Sequence, residues 1–285
     1  MTKVAIVTDT VACLTHELVE QYRIGVVPLN FYFGDKVYRD WIDITPAEAY
    51  ELFLQNPESF TASPASPRQY LEAYHEASNR AEAILCITLS SKISTAYNMA
   101  CVAKEQAKTE LPHTNIEVLD SLTVTAAEGF VALAGARAAE EGKSLDEVVI
   151  VAEEMRNRVT FIAFLDTIRY VYRTGRVPKI AALAGSLFNI RPILTSSSGL
   201  ICFAGVVRSR DRGIERLLKI MRGKVGQNQV HVAVMHAYAR EEGEKLRERI
   251  SSEFNCVELW LTEFSPVMGY ATGTGTLALA FYNEG

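Results

Sequence analysis

Near its start the chain has the run Lys3-Val4-Ala5-Ile6-Val7-Thr8-Asp9-Thr10. Its apolar residues predict a buried strand, which is the first indication of the fold class. A helical pattern follows at Thr15–Tyr22. Further apolar runs at Ala83–Leu89 and Ile116–Leu119 read as buried strands, and each is again followed by a helical pattern. Strands that alternate with helices predict a parallel sheet with helices on both faces.

The rest of the first half contains one more predicted strand and several predicted helix starts. Ile24–Phe33 reads as a second strand that ends at Gly34-Asp35. Helix N-termini are predicted at Thr45–Glu48, Ser66–Gln69 and Ser144–Glu147, since each pairs a Ser or Thr cap with a Glu or Gln three residues later. We expect helices over Ser94–Lys108 and Val124–Glu141 as well.

In the second half, the predicted strands and helices follow a different order, which includes a hairpin. Thr160–Leu165 reads as a strand, and a helix of small residues is predicted at Lys179–Leu187. Two strands, Ile190–Thr195 and Leu200–Val207, are joined by polar turn residues and predict a hairpin. The remaining predicted elements are a helix at Asp211–Met221, a strand at Val230–His236, a helix at Arg240–Phe254 and a strand at Val257–Thr262.

These patterns predict two domains. The first, residues 1–158, is an α/β domain with a parallel sheet and flanking helices. The second, residues 159–285, is an α+β domain with a mixed or antiparallel sheet.

Composition excludes several classes of protein. The chain has 285 residues, of which 48% are hydrophobic and 22% charged, which is typical of a globular protein and not of a disordered one. The net charge of −5 and the lack of a basic run argue against general nucleic-acid binding. No apolar run approaches the roughly 20 residues of a membrane span. No signal-peptide pattern precedes the first strand, so we expect a cytoplasmic protein.

Cysteine and histidine spacing gives no metal site. The five cysteines are scattered, without a C-x-x-C pair, and are expected to be small core residues. The five histidines form no cluster with metal-ligand spacing. We expect neither a metal nor a cofactor.

Small hydroxyl residues gather in two segments that lead into helices, Thr61–Pro67 and Ser90–Tyr97. Unpaired N–H groups and the positive end of a helix dipole attract anions at such places. Ser66 is explained as a helix cap, whereas Thr61 and Ser63 are not and remain free to bind a ligand; Ser94 is either a cap or a ligand contact. A third segment, Gly269–Gly275, is expected to be a glycine loop that packs closely against backbone or ligand.

Asp9, at the end of the first strand, has two interpretations. It either caps the next turn or acts as a phosphotransfer nucleophile, although Val11 stands where one phosphotransferase pattern needs a second aspartate. No G-x-S-x-G elbow is present, and no histidine lies in a polar cluster. Hydroxyls and helix ends without a base or nucleophile favour a binding protein over an enzyme.

The ordered set of these motifs resembles the DegV family. The resemblance runs over essentially the whole chain. Its motifs are Val4–Thr10, Val26–Leu29, Asp43–Thr45, Thr61–Pro67, Ser90–Ser94, Asp120-Ser121, Arg173–Arg176, Arg191–Leu194 and Gly273–Gly275.

The resemblance implies a two-domain carrier without catalysis of its own. Family members hold one long-chain fatty acid in an apolar tunnel near the domain junction and present its carboxylate to a separate fatty acid kinase. The family's carboxylate-binding threonine and serine correspond to Thr61 and Ser94. Ser63 is the alternative to Thr61, because the loop is one residue longer here. Secondary candidates near the head group or the kinase-facing surface are Arg173, Arg176, Arg208, Thr272 and Tyr270.

One departure from the family pattern concerns the C-terminal loop. The family's G-x-H-T-G-P-G has a histidine and a proline where this chain has Ala271 and Thr274. The histidine helps to hold the carboxylate in the family, so its absence removes a donor and the titratable group of that loop. The change bears more on kinase coupling than on lipid binding. A phosphotransferase or phosphatase that uses Asp9, and a lipid-sensing regulatory protein, are the alternative functions.

Overall fold

A computed structural model describes residues 3–177 and 190–284 of the chain, and the predicted helix Lys179–Leu187 lies outside the described residues. The strands are β1 (Val4–Asp9), β2 (Gly25–Val27), β3 (Asn30–Phe33), β4 (Lys36–Arg39), β5 (Phe60–Ser63), β6 (Ala83–Thr88), β7 (Asn115–Asp120), β8 (Thr160–Phe164), β9 (Arg191–Ser197), β10 (Leu200–Val207), β11 (Val230–His236), β12 (Cys256–Glu263) and β13 (Leu277–Asn283). The helices are α1 (His16–Tyr22), α2 (Pro46–Gln55), α3 (Pro67–Ser78), α4 (Ala96–Glu110), α5 (Ala126–Glu140), α6 (Leu145–Arg158), α7 (Arg169–Thr174), α8 (Arg210–Val225), α9 (Arg240–Glu253) and α10 (Pro266–Thr272).

The first sheet is the predicted parallel one. Its strand order is β2-β1-β6-β7, and all three strand pairs are parallel. The predicted strands at Lys3–Thr8, Ala83–Leu89 and Ile116–Leu119 are confirmed, and so are the three predicted helix starts. At Thr45, Ser66 and Ser144 the side chain accepts the N–H of the third helical residue, whose own side chain reaches back to the cap. These contacts satisfy N–H groups that a helix start leaves unpaired.

The prediction of one strand over Ile24–Phe33 was wrong. The run is two strands, β2 and β3, which separate at Pro28 and belong to different sheets. Proline lacks the N–H that a continuing ladder needs, so the chain leaves the parallel sheet at this point. β3 then pairs with β4 and β5 in a small antiparallel sheet. The segment Thr61–Pro67, expected as a loop, therefore begins as a strand.

The largest sheet belongs to the second half of the chain. It is mixed, with the order β10-β9-β8-β13-β11-β12, and the predicted hairpin of β9 and β10 is confirmed. β11 and β12 are parallel, while the other neighbouring pairs are antiparallel. The Gly269–Gly275 segment is not wholly a loop, because α10 continues to Thr272. Ser265 and Pro266 start that helix in the same way as Ser66 and Pro67 start α3.

A single helix fills the space between the parallel and the mixed sheets. α5 is buried along almost its whole length and contacts β1 and β6 on one side and β13 on the other. Its many alanines and glycines allow two sheets to approach it closely. The strands of the first two sheets all precede residue 160, and those of the third all follow it. The division into domains 1–158 and 159–285 stays a prediction that this separation supports.

Packing of α8 against the mixed sheet leads to a stability prediction. Gly213 lies on the buried face of α8, where a Cβ atom would lie closer than 3.0 Å to ring carbons of Phe164. Phe164 is fully buried, so its ring has no space into which it can move. We expect Gly213→Ala to lower the free energy of unfolding by about 1–3 kcal/mol in urea titrations.

The same helix offers the matched control. Gly223 is exposed, and nothing lies within 4 Å of the position of its added Cβ. Gly223→Ala is expected to raise the free energy of unfolding by about 0.5–1 kcal/mol, because alanine restricts the unfolded chain and favours the helix. Equal effects of the two substitutions would contradict the packing described for Gly213.

Candidate functional site

An apolar cavity lies where the three sheets meet. Its walls come from both predicted domains, and most of the contributing side chains are apolar. The lining residues are Leu29, Ala62, Ser63, Pro64, Leu89, Ile93, Ser94, Val124, Phe161, Ala163, Val171, Arg176, Val177, Leu194, Ile201, Val267, Met268, Tyr270, Ala271 and Thr272. Five of these, namely Ser63, Ser94, Arg176, Tyr270 and Thr272, carry polar groups in their side chains. An apolar pocket with a few polar groups is typical of a small-molecule site.

Ser94 lies where β6 ends and α4 begins, and its side chain lines the cavity. Its Oγ accepts the N–H of Ala96 at 3.2 Å, so the hydroxyl proton is left to be donated. The cap of α4 is Thr95, which makes no side-chain capping bond. The positive end of a 15-residue helix therefore faces the same region as a free hydroxyl donor.

Ser63 and Thr61 differ in whether they line the cavity. Both lie on β5 and, being two residues apart, on the same face of the strand. Ser63, at the strand end, lines the cavity and its Oγ lies 3.4 Å from Tyr32 Oη. Thr61 is exposed and is not among the residues that line the cavity. The candidate donors that meet at the cavity are thus Ser63 and Ser94.

One of the three candidate arginines lines the cavity, and the other two do not. Arg176 lines the cavity next to Ser94, and its Nε donates to the Ile93 carbonyl at 3.4 Å. Arg173 does not line the cavity; it pairs with Glu58 at 3.0 Å and lies over the Tyr270 ring at 5.1 Å. Arg208 is exposed, with its carbonyl accepting from Arg191. Of the three candidate arginines, Arg176 is therefore the one that lines the cavity.

The C-terminal segment contributes a wall through α10. Thr272 is buried, and its hydroxyl donates to the Met268 carbonyl at 3.2 Å, so its proton is already engaged within the helix. Ala271 and Tyr270 line the cavity, whereas Thr274 does not. Ala271, at the position that the sequence comparison singled out, therefore lines the cavity.

A pair that the sequence did not single out holds α10 in place. Asp40, at the end of β4, is fully buried and accepts a hydrogen bond of 2.5 Å from Ser265 Oγ. Burial raises the pKa of Asp40 to about 6, against the opposing effect of the Ser265 hydroxyl. Because Ser265 is also the cap of α10, this contact fixes the cavity wall to the small sheet. Nothing in the local sequence around Asp40 indicates a partner 225 residues away.

Asp9 does not reach the cavity. Its carboxylate is fully buried and accepts the backbone N–H groups of Val11 and Leu89 at 2.9 and 3.2 Å. Glu128 of α5 is also buried and lies next to Asp9, while Thr8 Oγ1 donates to Glu128 Oε1 at 3.2 Å. Burial raises the pKa of Asp9 to about 7 and that of Glu128 well above its usual range. These contacts match the capping interpretation of Asp9.

Within residues 3–177 and 190–284, no helix combines the length and apolarity needed to cross a membrane. Likewise, no group of three or more His, Cys, Asp or Glu side chains in that part of the chain is arranged to hold a metal ion.

Fold and site together define a mixed α/β protein with an apolar cavity whose lining includes serine hydroxyls and an arginine. The chain belongs to the DegV family, whose model, described as that of an uncharacterised protein family, matches residues 3–284.

Known relatives agree with this assignment over the full length. Protein DegV of Bacillus subtilis is 29% identical over 282 residues, which is 98% of each chain. A solved structure of DegV from Bacillus subtilis, described as a fatty acid binding protein, is 27% identical with a TM-score of 0.89 and complete coverage of both chains. A DegV family protein from Thermus thermophilus, described by its fatty acid binding, gives the same identity, TM-score and coverage.

Proposed function

We propose that this protein binds a long-chain fatty acid in the apolar cavity and carries it without catalysing a reaction itself. The observation that carries the proposal is the cavity, because its lining is apolar except for a few donors. Burying about fifteen methylenes at about 0.8 kcal/mol each contributes on the order of 12 kcal/mol before losses. The lost freedom of the ligand offsets a large part of that figure. Two solved relatives are described as fatty acid binding.

The carboxylate end is proposed to lie at Ser94, Ser63 and Arg176. A buried carboxylate without partners is costly, so it needs donors. The free hydroxyl proton of Ser94, the α4 N-terminus and the Arg176 guanidinium supply them. Thr61 remains a candidate by resemblance, with Arg173 and Thr272 as secondary ones. The apolar chain would then extend towards Phe161, Ala163 and Leu194.

Organic extraction of the purified full-length protein, followed by mass spectrometry, tests the proposal. We expect one fatty acid per chain, and delipidated protein is expected to bind fatty acid again on titration. Protein that carries no fatty acid and binds none on titration would refute the proposed function.

Single substitutions distinguish Ser63 from Thr61. Ser63→Ala and Ser94→Ala are each expected to weaken fatty acid binding about tenfold, which corresponds to the loss of one hydrogen bond to a charged group. Thr61→Val, on the same strand but exposed, is expected to leave the dissociation constant within about twofold. Titration with a fluorescent fatty acid measures all three. A large effect of Thr61→Val with none for Ser63→Ala would reverse the assignment.

The finer part of the proposal is that the carboxylate is presented to a separate fatty acid kinase. Its basis is the resemblance of the motifs, and the exposed Arg176 beside Ser94 supports an accessible head group. Ala271, in place of the family's histidine, removes one group from this end. Incubation of loaded protein with ATP and a fatty acid kinase catalytic subunit tests the step. Loaded protein that yields no acyl phosphate would restrict the function to lipid binding.

A further inference from the structure

A second cleft lies on the mixed sheet, away from the apolar cavity. It opens at the carboxyl ends of β11 and β12, two parallel strands joined by the crossover helix α9. Its lining residues are Ala47, His236, Tyr238, Arg240, Glu244, Arg247, Leu261, Thr262 and Glu263. None of them lines the apolar cavity. The carboxyl ends of parallel strands are where α/β sheets bind ligands.

His236 forms the floor of this cleft and is 4% exposed. Its Nδ1 accepts the N–H of Ala239 at 3.4 Å, so the proton of the neutral ring lies on Nε2. Burial, with the nearby positive charge of Arg240, lowers the pKa of His236 to about 4, so the ring is neutral at physiological pH. Among the hydrogen bonds of the described residues, none uses Nε2. The Nε2–H group of a largely buried ring is thus left to be donated to a molecule in the cleft.

The charges around the cleft are balanced but only partly paired. Arg247 and Glu244 neutralise each other at 2.7 Å. Arg240 is 81% exposed, and its carboxylate contact in the described chain is a loose one of 3.9 Å to Glu244. Glu263 is three-quarters buried and lies 3.7 Å from His236, beyond hydrogen-bond distance. Among the described residues neither Arg240 nor Glu263 has an ion-pair partner closer than 3.7 Å, so one charge of each sign is available to a ligand.

We propose that this cleft binds a small zwitterion with an ammonium and a carboxylate group, of the α-amino acid class. Arg240 and the His236 Nε2–H receive the carboxylate, and Glu263 receives the ammonium group. Tyr238, Leu261 and Ala47 supply an apolar wall for the side chain. Glu263 and Glu244 would repel a simple anion, and Arg240 and Arg247 would repel a simple cation. Neither kind of ion therefore matches the charges of the cleft.

Isothermal titration of the purified full-length protein at pH 7.5 tests this site. The probes are the twenty L-amino acids, with acetate and methylammonium at the same ionic strength as single-charge controls. We expect at least one amino acid to bind at a 1:1 ratio with a submillimolar dissociation constant, and the two control ions to bind at least tenfold more weakly. No binding by any amino acid, or equal binding of acetate or methylammonium, would overturn the proposal.

Substitutions of cleft residues test whether amino acids bind in this cleft. Arg240→Ala and Glu263→Gln are each expected to weaken amino acid binding at least tenfold. Lys245→Ala, on the same helix but outside the cleft, is expected to leave it unchanged. Binding that persists in both cleft variants would overturn the assignment. The proposal does not depend on the fatty acid cavity, because these variants do not touch its lining.

Discussion

Fatty acid binding is expected to fall at least a hundredfold when Ala163 is replaced by leucine. Ala163 lies in the middle of β8, is fully buried and lines the cavity together with Phe161 two residues earlier. Its neighbours in register are Leu194 and Ala278, which leave the cavity as the open direction for a larger side chain. Three added carbons would therefore occupy space proposed for the acyl chain, and a close-packed wall has little room to move aside.

The measurement is the dissociation constant of a fluorescent fatty acid, with the unfolding free energy measured in parallel. Overpacking itself is expected to cost about 1–3 kcal/mol, so a control must separate instability from occlusion. Ala233→Leu provides it, because Ala233 is also fully buried in the same core but lies two strands away, outside the cavity lining. We expect Ala233→Leu to destabilise the fold and to retain binding. An unchanged dissociation constant for Ala163→Leu would show that the acyl chain does not lie against β8.

The parallel sheet could be predicted from the sequence because its signals are local. β1, β6 and β7 are short apolar runs between helical patterns, and the helix starts at Thr45, Ser66 and Ser144 carry their capping partners within three residues. Ser94 was found in the same way, since a hydroxyl segment joins a buried strand to a helix. The hairpin of β9 and β10 likewise has its turn residues between its strands.

Other elements were missed because their signals are weak or are supplied by distant residues. β4 and β5 have four residues each and mixed polarity, so nothing local distinguishes them from loops. Without β5, the sequence offered no means to choose between Thr61 and Ser63. The start of α10 at Ser265-Pro266 could have been recognised, because the same pair of residue types was recognised at Ser66-Pro67.

The polar contacts in the core could not be predicted for a different reason. Asp40 meets Ser265 across 225 positions of the chain, and Thr8 meets Glu128 across 120. Glu128 lies in a helix of small residues, where a glutamate would ordinarily be read as exposed. Its burial follows from α5 lying between two sheets, which is a property of the tertiary structure and not of the helix.

The buried pair of Asp9 and Glu128 is expected to make the protein less stable as the pH rises. Both carboxyls are fully buried next to each other, so burial and their mutual repulsion favour a state in which at least one of them keeps its proton. A raised pKa in the folded state contributes stability that is complete below the unfolded-state pKa and is lost as the pH passes the folded-state value. For Asp9, the rise from 3.8 to about 7 corresponds to about 4 kcal/mol, lost between pH 4 and pH 8.

Glu128→Gln is expected to remove most of this dependence. The glutamine retains an oxygen for the Thr8 hydroxyl and provides an N–H that donates to an ionised Asp9, so the pair no longer needs a shared proton. At pH 8 we expect the variant to exceed the original protein in unfolding free energy by at least about 2 kcal/mol, whereas at pH 4 that advantage is lost. Urea titrations from pH 4 to pH 8 measure both proteins.

Glu140→Gln serves as the control, because Glu140 lies on the same helix but is exposed. It is expected to follow the pH profile of the original protein within about 0.5 kcal/mol. A Glu128→Gln profile that is parallel to that of Glu140→Gln would mean that the two carboxyls do not share a proton. A flattened Glu128→Gln profile with unchanged fatty acid binding would assign the Asp9–Glu128 pair to the stability of the core and not to the binding site.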